Sequence, residues 1–211
     1  MAKLPATAAV LAGGKSRRMG RDKAALPWGG RPLGPFVASR LEPWFEEVIV
    51  SGDRPCAFEG GPFRILPDLV PGRGALGGLH AALLGARHDW VFLAACDMPF
   101  LSEALVRLLW SLRGDGDAVV PVREGRMEPA CAFYSRACAG AAGRALERGE
   151  GRVISFFPEV RVREAAEAEW AAADPAGASF RNLNTPEEYR ALAPAEGAAP
   201  AGGIYRPRGK K

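Results

Sequence analysis

A glycine turn followed by basic residues comes directly after the first apolar run of the chain. Gly13 and Gly14 leave backbone amides free to approach phosphate oxygens, because no Cβ atom intervenes. Arg17, Arg18 and Lys23 follow and supply positive charge that offsets a polyphosphate. The turn is therefore predicted to bind the phosphates of a small molecule. The alternative is a tight turn beside a basic, solvated surface.

A single carboxylate, Asp97, stands just beyond the apolar run 90–95. In an open parallel sheet, ligands bind beyond the carboxyl ends of the strands. One aspartate, together with substrate phosphates and water, is an ordinary coordination shell for Mg²⁺. Asp97 is therefore a candidate Mg²⁺ ligand. Alternatively, its side chain caps the turn that follows the strand.

A third glycine-rich stretch, residues 67–79, is predicted to open a helix whose amides face an anion or a base. Three of its glycines have the G-x-G-x-x-G spacing of a dinucleotide-binding site: Gly72, Gly74 and Gly77. Asp97 follows at a distance that suits the same motif. However, that motif requires its first glycine to close a strand directly, whereas Pro67 and Pro71 intervene here. The dinucleotide interpretation is therefore much weaker than a nucleotide site on the first loop.

Six short apolar runs are predicted to be the β-strands that carry these loops. They alternate with helical patterns, and their nearly continuous apolar character is typical of strands that are buried on both faces. The sequence therefore predicts an α/β fold in which a mostly parallel sheet lies between two layers of helices. The predicted strands are residues 7–12, 47–51, 63–66, 90–95, 117–122 and 130–134.

Helices are predicted between these strands, and Ser102 is a suitable N-cap for one of them. A stronger start signal is the capping threonine Thr185, followed by proline at the first helical position and by Glu188 three residues on. The stretch after it is rich in Ala, Pro and Gly. We therefore expect one domain over residues 1–192 and a flexible basic tail over residues 193–211. The other predicted helices are residues 34–41, 76–86, 103–112 and 136–148.

Composition and length limit the classes of protein that the chain can belong to. Its 211 residues are 48% hydrophobic and 25% charged, which is the balance of a soluble globular protein. No apolar run approaches the roughly 20 residues of a membrane-spanning helix, and the N-terminus lacks the long apolar region of a signal peptide. A cytoplasmic location is therefore expected. The net charge of +4 is not arranged as a basic face with interleaved aromatic residues, which argues against nucleic-acid binding.

The cysteines and histidines show no spacing typical of metal ligands. This argues against a zinc enzyme and against a Ser/His/Asp hydrolase. Buried, reduced thiols explain cysteines in apolar surroundings. The four cysteines, three of which lie in apolar or Ala-rich surroundings, are Cys56, Cys96, Cys131 and Cys138, and the two histidines are His80 and His88.

Four stretches of the sequence resemble the molybdenum cofactor guanylyltransferases. LAGGKSRRMGRDKAAL is similar to the signature L-A-G-G-x-S-x-R-M-G-x-D-K of that family. G-x-L-x-G at 74–78, C-D-x-P at 96–99 and N-x-N-T-P-E-E at 182–188 resemble the same family in the same order. The resemblance extends over about residues 4–190. The paired glycine and the Asn-Thr-Pro near the C-terminus favour the guanylyl branch among related nucleotidyltransferases.

The resemblance implies a set of nucleotide contacts at the carboxyl ends of the strands. The first-loop residues would meet the guanine nucleotide through backbone groups, and Lys23 would meet its phosphates. Asp68 would help to bind the nucleotide, and Asp97 would bind both the nucleotide and Mg²⁺. The implied binding residues are Leu11, Ala12, Gly13, Gly14, Lys23, Ser51, Asp68 and Asp97.

At a few positions the sequence departs from the family pattern or leaves a role open. Ser51 stands where the family has an asparagine, and a serine can still donate one hydrogen bond. Ala75 stands where proline is more usual, which predicts a less rigid loop. Asn182 and Asn184 would shape the acceptor side or the base side of the cleft. Alternatively, Asn184 merely assists the helix cap.

The implied reaction transfers GMP from GTP to the terminal phosphate of molybdenum-loaded molybdopterin. It forms molybdopterin guanine dinucleotide and releases pyrophosphate. Lys23, Asp97 and Arg18 would be the catalytic residues, because such a transfer requires positioning and charge stabilisation more than covalent chemistry. A phosphate acceptor is already ionised near neutral pH, so no general base is needed.

The same resemblance implies a three-layer fold similar to that of the nucleotide-sugar transferases. It implies Mg²⁺ as the cofactor and GTP and molybdopterin as small-molecule partners. Molybdoenzyme apoproteins or their chaperones would receive the product, with no nucleic-acid or membrane partner.

Three other functions stay open from the sequence. A cytidylyltransferase or a sugar-phosphate nucleotidyltransferase has the same fold and differs in base and acceptor. A non-catalytic nucleotide-binding protein could keep the glycine turn but has no need for Asp97 and Lys23 together. An NAD(P)-binding protein, suggested by the G-x-G-x-x-G spacing, ranks last.

Overall fold

The computed structural model describes residues 1–13, 22–52 and 56–194. Their strands are β1 (Leu4–Leu11), β2 (Pro27–Trp28), β3 (Arg31–Pro32), β4 (Phe45–Ser51), β5 (Arg64–Leu66), β6 (Trp90–Ala95), β7 (Ala118–Arg123), β8 (Arg126–Met127), β9 (Cys131–Ser135) and β10 (Val162–Ala165). Their α-helices are α1 (Leu33–Leu41), α2 (Gly74–Gly85), α3 (Glu103–Ser111), α4 (Cys138–Glu147), α5 (Glu167–Trp170) and α6 (Pro186–Leu192).

Eight of these strands form one sheet in which most neighbours are parallel. The order is β10-β7-β9-β6-β1-β4-β5, and β8 pairs with β7. β1 is parallel to both β4 and β6, β4 is parallel to β5, and β7 is parallel to β10. Only β9 interrupts this pattern within the main path, because it is antiparallel to β6 and to β7. The predicted mostly parallel sheet is confirmed.

Helices cover both faces of the sheet, so the fold has three layers. Successive residues of a strand point to opposite faces. In β1, Val10 belongs to one apolar core and Ala9 to the other. Phe36 of α1 and Leu105 of α3 lie in the first core, and Leu79 of α2 lies with α4 in the second. The nearly continuous apolar strands are explained by this burial on both faces.

The six predicted strands and four predicted helices are all present, with ends that differ by at most three residues. β10 is absent from the prediction because it lies at the edge of the sheet and only Ala165 in it is buried. The hairpin of β2 and β3 is also absent from the prediction, although the Gly29-Gly30 pair in its turn is a sequence signal for a hairpin. Gly29 and Gly30 both have positive φ, 55° and 81°, as a two-residue hairpin turn requires.

Both predicted helix caps are confirmed. Ser102 Oγ accepts a hydrogen bond from Leu105 N, 3.4 Å away, at the start of α3. Thr185 Oγ1 accepts from Glu188 N, 3.2 Å away, at the start of α6. No helix of the described residues is long and apolar enough to cross a membrane. The division into one domain and a tail stays a prediction, since the described residues end at 194.

Candidate active site

The carboxyl ends of four parallel strands lie side by side at one edge of the sheet. Leu11 at the end of β1 pairs with Ser51 of β4 and with Ala95 of β6. Ser51 in turn pairs with Leu66 at the end of β5. The three loops singled out from the sequence leave these strands at the same edge, so their side chains can act on one ligand.

Three polar side chains that are distant in sequence meet beyond this edge. Lys23 Nζ donates to Asp97 Oδ2 at 2.7 Å and to Asn184 Oδ1 at 2.9 Å. Asp97 is only 7% exposed, so its carboxylate is largely shielded from bulk water. A buried carboxylate requires a partner of opposite charge, and the Lys23 ammonium provides it. This ion pair joins Asp97, the predicted metal ligand, to Lys23, which is predicted to bind the phosphates.

Short backbone contacts fix Lys23 and Asp97 in place. Lys23 begins a single 3-10 turn, and Asp22 caps this turn by accepting a hydrogen bond from Ala24 N at 3.0 Å. Asp97 follows β6, where Cys96 N donates to Leu11 O at 3.1 Å. The turn after β6 is therefore tied to the end of β1, and the Asp97 carboxylate contacts Lys23.

Ala12 and Gly13, which follow β1, lie close to the end of β4. Ala12 N donates to Ser51 O at 2.8 Å, and Ala12 is buried while Gly13 is exposed. Ser51 is fully buried, and its hydroxyl donates to Gly78 O of α2 at 2.7 Å. The single donor of Ser51 is thus directed to the protein in this structure. A nucleotide contact of Ser51 stays a prediction.

Asp68 lies against the first turn of α2. A Cβ at Gly77 would be 3.2 Å from Asp68 Oδ2, and a Cβ at Gly78 would be 2.5 Å from Leu11 Cδ2. Larger residues at these two positions would push the helix away from the strand ends. Gly77 and Gly78 therefore serve close approach of α2 to the site, and Gly72 and Gly74 have positive φ, 75° and 57°, so the glycines are explained without a dinucleotide motif. Gly72, the first glycine of the G-x-G-x-x-G spacing, lies several residues beyond the end of β5 and therefore does not close that strand directly.

Two hydrogen bonds that the sequence analysis does not predict hold the third loop in place. Arg73 Nη1 donates to Gly149 O at 2.9 Å, and Leu76 N donates to Gly151 O at 3.2 Å. These bonds attach the start of α2 to the turn after α4. Ala75, which replaces the more usual proline, is exposed between them. The loop is therefore restrained from outside, by contacts between residues that are more than seventy positions apart.

The described structure does not test the roles of several predicted site residues. Gly14, Arg17 and Arg18 fall in the stretch 14–21, which lies outside the described residues. Asn182 is half-buried, and its Oδ1 has no hydrogen-bond partner among the described residues. The roles assigned to these residues stay predictions.

The described residues suit a metal that a substrate helps to hold. Nowhere in these parts of the chain do three His, Cys, Asp or Glu side chains come together as a metal site. Mg²⁺ commonly takes one or two carboxylates and completes its shell with phosphates and water. Asp97, at the strand edge beside Lys23, fits such a site. The described residues do not offer a cage made only of protein ligands.

Cys96, Cys131 and Cys138 pack in or against the apolar cores, whereas Cys56 is exposed. All four cysteines are free of disulfides. Burial raises the pKa of Cys138 to about 12 and raises that of Cys131 further. Burial likewise raises the pKa of Cys96, next to Asp97, so this thiol stays protonated and is not a nucleophile at neutral pH.

Replacing Gly52 with alanine is expected to disturb the end of β1. A Cβ at Gly52 would lie 2.0 Å from Ala12 O, and that backbone is fixed by its bond to Ser51. We expect the free energy of unfolding to fall by about 2–3 kcal/mol in guanidinium titrations. Gly60→Ala is the control, because Gly60 also has positive φ, 71°, but no atom within 4 Å of its Cβ position. Equal losses in the two variants would contradict the role of close approach.

Comparison with known proteins identifies a family and close relatives in sequence. The sequence matches the family model of the MobA-like NTP transferase domain over residues 8–165. A molybdenum cofactor guanylyltransferase from Desulfosudis oleivorans is 36% identical, over 94% of this chain and 98% of the relative. One from Cereibacter sphaeroides is 40% identical, over 85% of this chain and 91% of the relative.

Solved structures share the fold. The molybdopterin-guanine dinucleotide biosynthesis protein A from Archaeoglobus fulgidus has a TM-score of 0.77 at 26% identity, over 88% of this chain and 95% of that chain. A Mycobacterium tuberculosis H37Rv protein in complex with manganese has a TM-score of 0.58 at 18% identity, over 89% and 97% of the two chains. The sequence relatives, unlike the second structure, are similar enough to show more than the fold. This chain therefore belongs to the MobA-like NTP transferases, and within them to the molybdenum cofactor guanylyltransferase family of nucleotidyltransferases.

Proposed function

We propose that this chain transfers GMP from GTP to the phosphate of molybdenum-loaded molybdopterin, with Mg²⁺ as the metal. The observation that carries the proposal is the contact between Lys23 and Asp97 at the shared edge of four strand ends. A cation for the phosphates and a carboxylate for the metal are thereby held together. Nucleotidyl transfer needs both, whereas nucleotide binding alone does not.

The nucleotide would lie over the ends of β1, β4 and β5. Backbone groups of Leu11, Ala12 and Gly13 border this area, and Gly77 and Gly78 leave room beside it. The Asp68 carboxylate at its edge accepts hydrogen bonds, and guanine presents neighbouring N–H donors on one edge of its ring. A base that lacks these donors could not make such hydrogen bonds to the carboxylate, which lets a site discriminate between bases. This supports GTP as the substrate.

The triphosphate would be held by Lys23, with Arg18 as a second cation. Lys23 has three N–H donors, and two of them reach Asp97 and Asn184, so the ammonium is oriented before a phosphate arrives. Asp97 would hold Mg²⁺, which when bound neutralises charge on the phosphates of the leaving pyrophosphate. The acceptor phosphate attacks the α-phosphorus, and its own charge makes a protein base unnecessary.

The choice of base and acceptor is tested by pyrophosphate release from each of the four triphosphates, with and without molybdopterin. We expect turnover with GTP and acceptor to exceed that with ATP, CTP or UTP by about a hundredfold or more. Turnover with CTP that equals or exceeds turnover with GTP would assign the chain to the cytidylyl relatives. The receiving molybdoenzymes or their chaperones, the cytoplasmic location, and the lack of nucleic-acid or membrane partners stay predictions from the sequence.

A further inference from the structure

Glu188 makes one hydrogen bond more than a capping box requires. In a capping box, the glutamate in the first turn accepts from the backbone N–H of the N-cap residue, here Thr185. Glu188 Oε2 accepts from Thr185 N at 3.0 Å and also from Asn184 N at 2.8 Å. The second bond lies outside the helix. It fixes the residue whose side chain contacts Lys23.

The segment that carries Asn184 is held at three successive backbone amides. Leu183 N donates to Asp97 O at 3.1 Å, and the amides of Asn184 and Thr185 both donate to Glu188. The backbone on either side of Asn184 is thereby restrained. Its Oδ1 stays in place to accept from Lys23 Nζ, 2.9 Å away.

The helix that supplies Glu188 adds little to the core. No residue of α6 is fully buried, and Glu188 itself is exposed. Stability of the core therefore does not explain the extra bond to Asn184. The contacts form instead a chain from Glu188 through Asn184 to Lys23.

We propose that Glu188 is a positioning residue for Lys23, acting through the backbone of Asn184. The proposal rests on the proposed function insofar as Lys23 is assigned to the phosphates. Glu188 touches neither substrate nor metal in this account. Its carboxylate holds Asn184, and the Asn184 side chain orients the ammonium toward the reacting phosphates. Small misplacements of such a group reduce turnover strongly.

The test compares Glu188→Ala with Glu187→Ala in the full chain. Glu187 is the adjacent glutamate, and its carboxylate pairs only with Arg190 across the exposed face of α6 among the described contacts. Two quantities are measured. The first is the rate at which an amine-reactive acetylating ester modifies Lys23 in the protein alone, read by peptide mass spectrometry. The second is kcat with GTP and molybdopterin.

For Glu188→Ala we expect Lys23 to be acetylated several-fold faster and kcat to fall about tenfold. Glu187→Ala should behave as wild type. Glu188→Gln should restore both quantities to near wild type, because an amide oxygen can still accept from the two N–H groups. Thermal unfolding of the two alanine variants should differ by less than about 2 °C.

Wild-type acetylation of Lys23 in Glu188→Ala would overturn the proposal, and so would faster acetylation with unchanged kcat. The acetylation rate requires neither GTP nor acceptor. It therefore tests the positioning of Lys23 even if wild-type protein failed to use GTP, which would refute the proposed function instead.

Discussion

Asp97→Asn is expected to lower kcat by about a hundredfold or more while the fold stays intact. The variant keeps an oxygen that can accept from Lys23 but loses the negative charge that a divalent metal requires. Asp97 is 7% exposed, and the described residues contain no group of three His, Cys, Asp or Glu side chains that could hold the metal in its place. Initial rates measured over a range of Mg²⁺ concentrations check this result, together with a thermal unfolding curve.

Asp89→Asn is the matched control for that variant. Asp89 precedes β6, so it lies at the opposite end of that strand from Asp97. Its side chain is 87% exposed beside Arg136. It should retain full activity and an unchanged dependence on Mg²⁺. An active Asp97→Asn variant whose Mg²⁺ requirement equalled that of wild type would remove Asp97 from the metal site.

Lys23→Ala is expected to reduce kcat/KM by about a hundredfold, because the only cation that contacts Asp97 among the described residues would be lost. Steady-state kinetics with varied GTP provide the measurement. Arg21→Ala is the control, since Arg21 occupies a variable position of the family signature in the same basic cluster. If both variants showed the same mild loss, the cluster would be a solvated surface and other residues would hold the triphosphate.

The structure changes one expectation for Lys23→Ala. A lysine in an arginine-rich loop suggests an exposed charge whose removal costs under about 1 kcal/mol. However, the Lys23 side chain is only 17% exposed and the Asp97 side chain 10%. Its loss leaves a largely buried carboxylate without its partner, so we expect the free energy of unfolding to fall by about 1–3 kcal/mol.

Much of the fold could be predicted from the sequence because burial on both faces of a sheet demands long apolar runs. β6 is the clearest example, since its predicted and observed ends coincide and Asp97 follows it directly. Elements outside the buried centre of the main sheet could not be predicted in this way. β10 has one buried residue, and the hairpin of β2 and β3 rests on glycine conformation instead of apolar periodicity.

The site was predictable one residue at a time but not as a set of contacts. The resemblance indicates Lys23, Asp97 and Asn184 separately. Their meeting depends on the hydrogen bond from Leu183 N to Asp97 O, which holds the segment of Asn184 beside Asp97. Lys23 and Asn184, which are in contact, are 161 positions apart in the sequence. No local pattern encodes such a contact. Likewise, the hydroxyl of Ser51 is predicted to be a donor, but only the fold shows that Gly78 receives its hydrogen bond.

The most direct test of nucleotidyl transfer follows the phosphorus atoms of GTP. GTP labelled at the α-phosphorus and GTP labelled at the γ-phosphorus are each incubated with the protein, Mg²⁺ and molybdenum-loaded molybdopterin, and the products are separated. The account predicts that the α label appears in a guanine dinucleotide of the pterin and the γ label in pyrophosphate, only when the acceptor is present. Release of the γ label as orthophosphate, with the α label left in GDP, would contradict it.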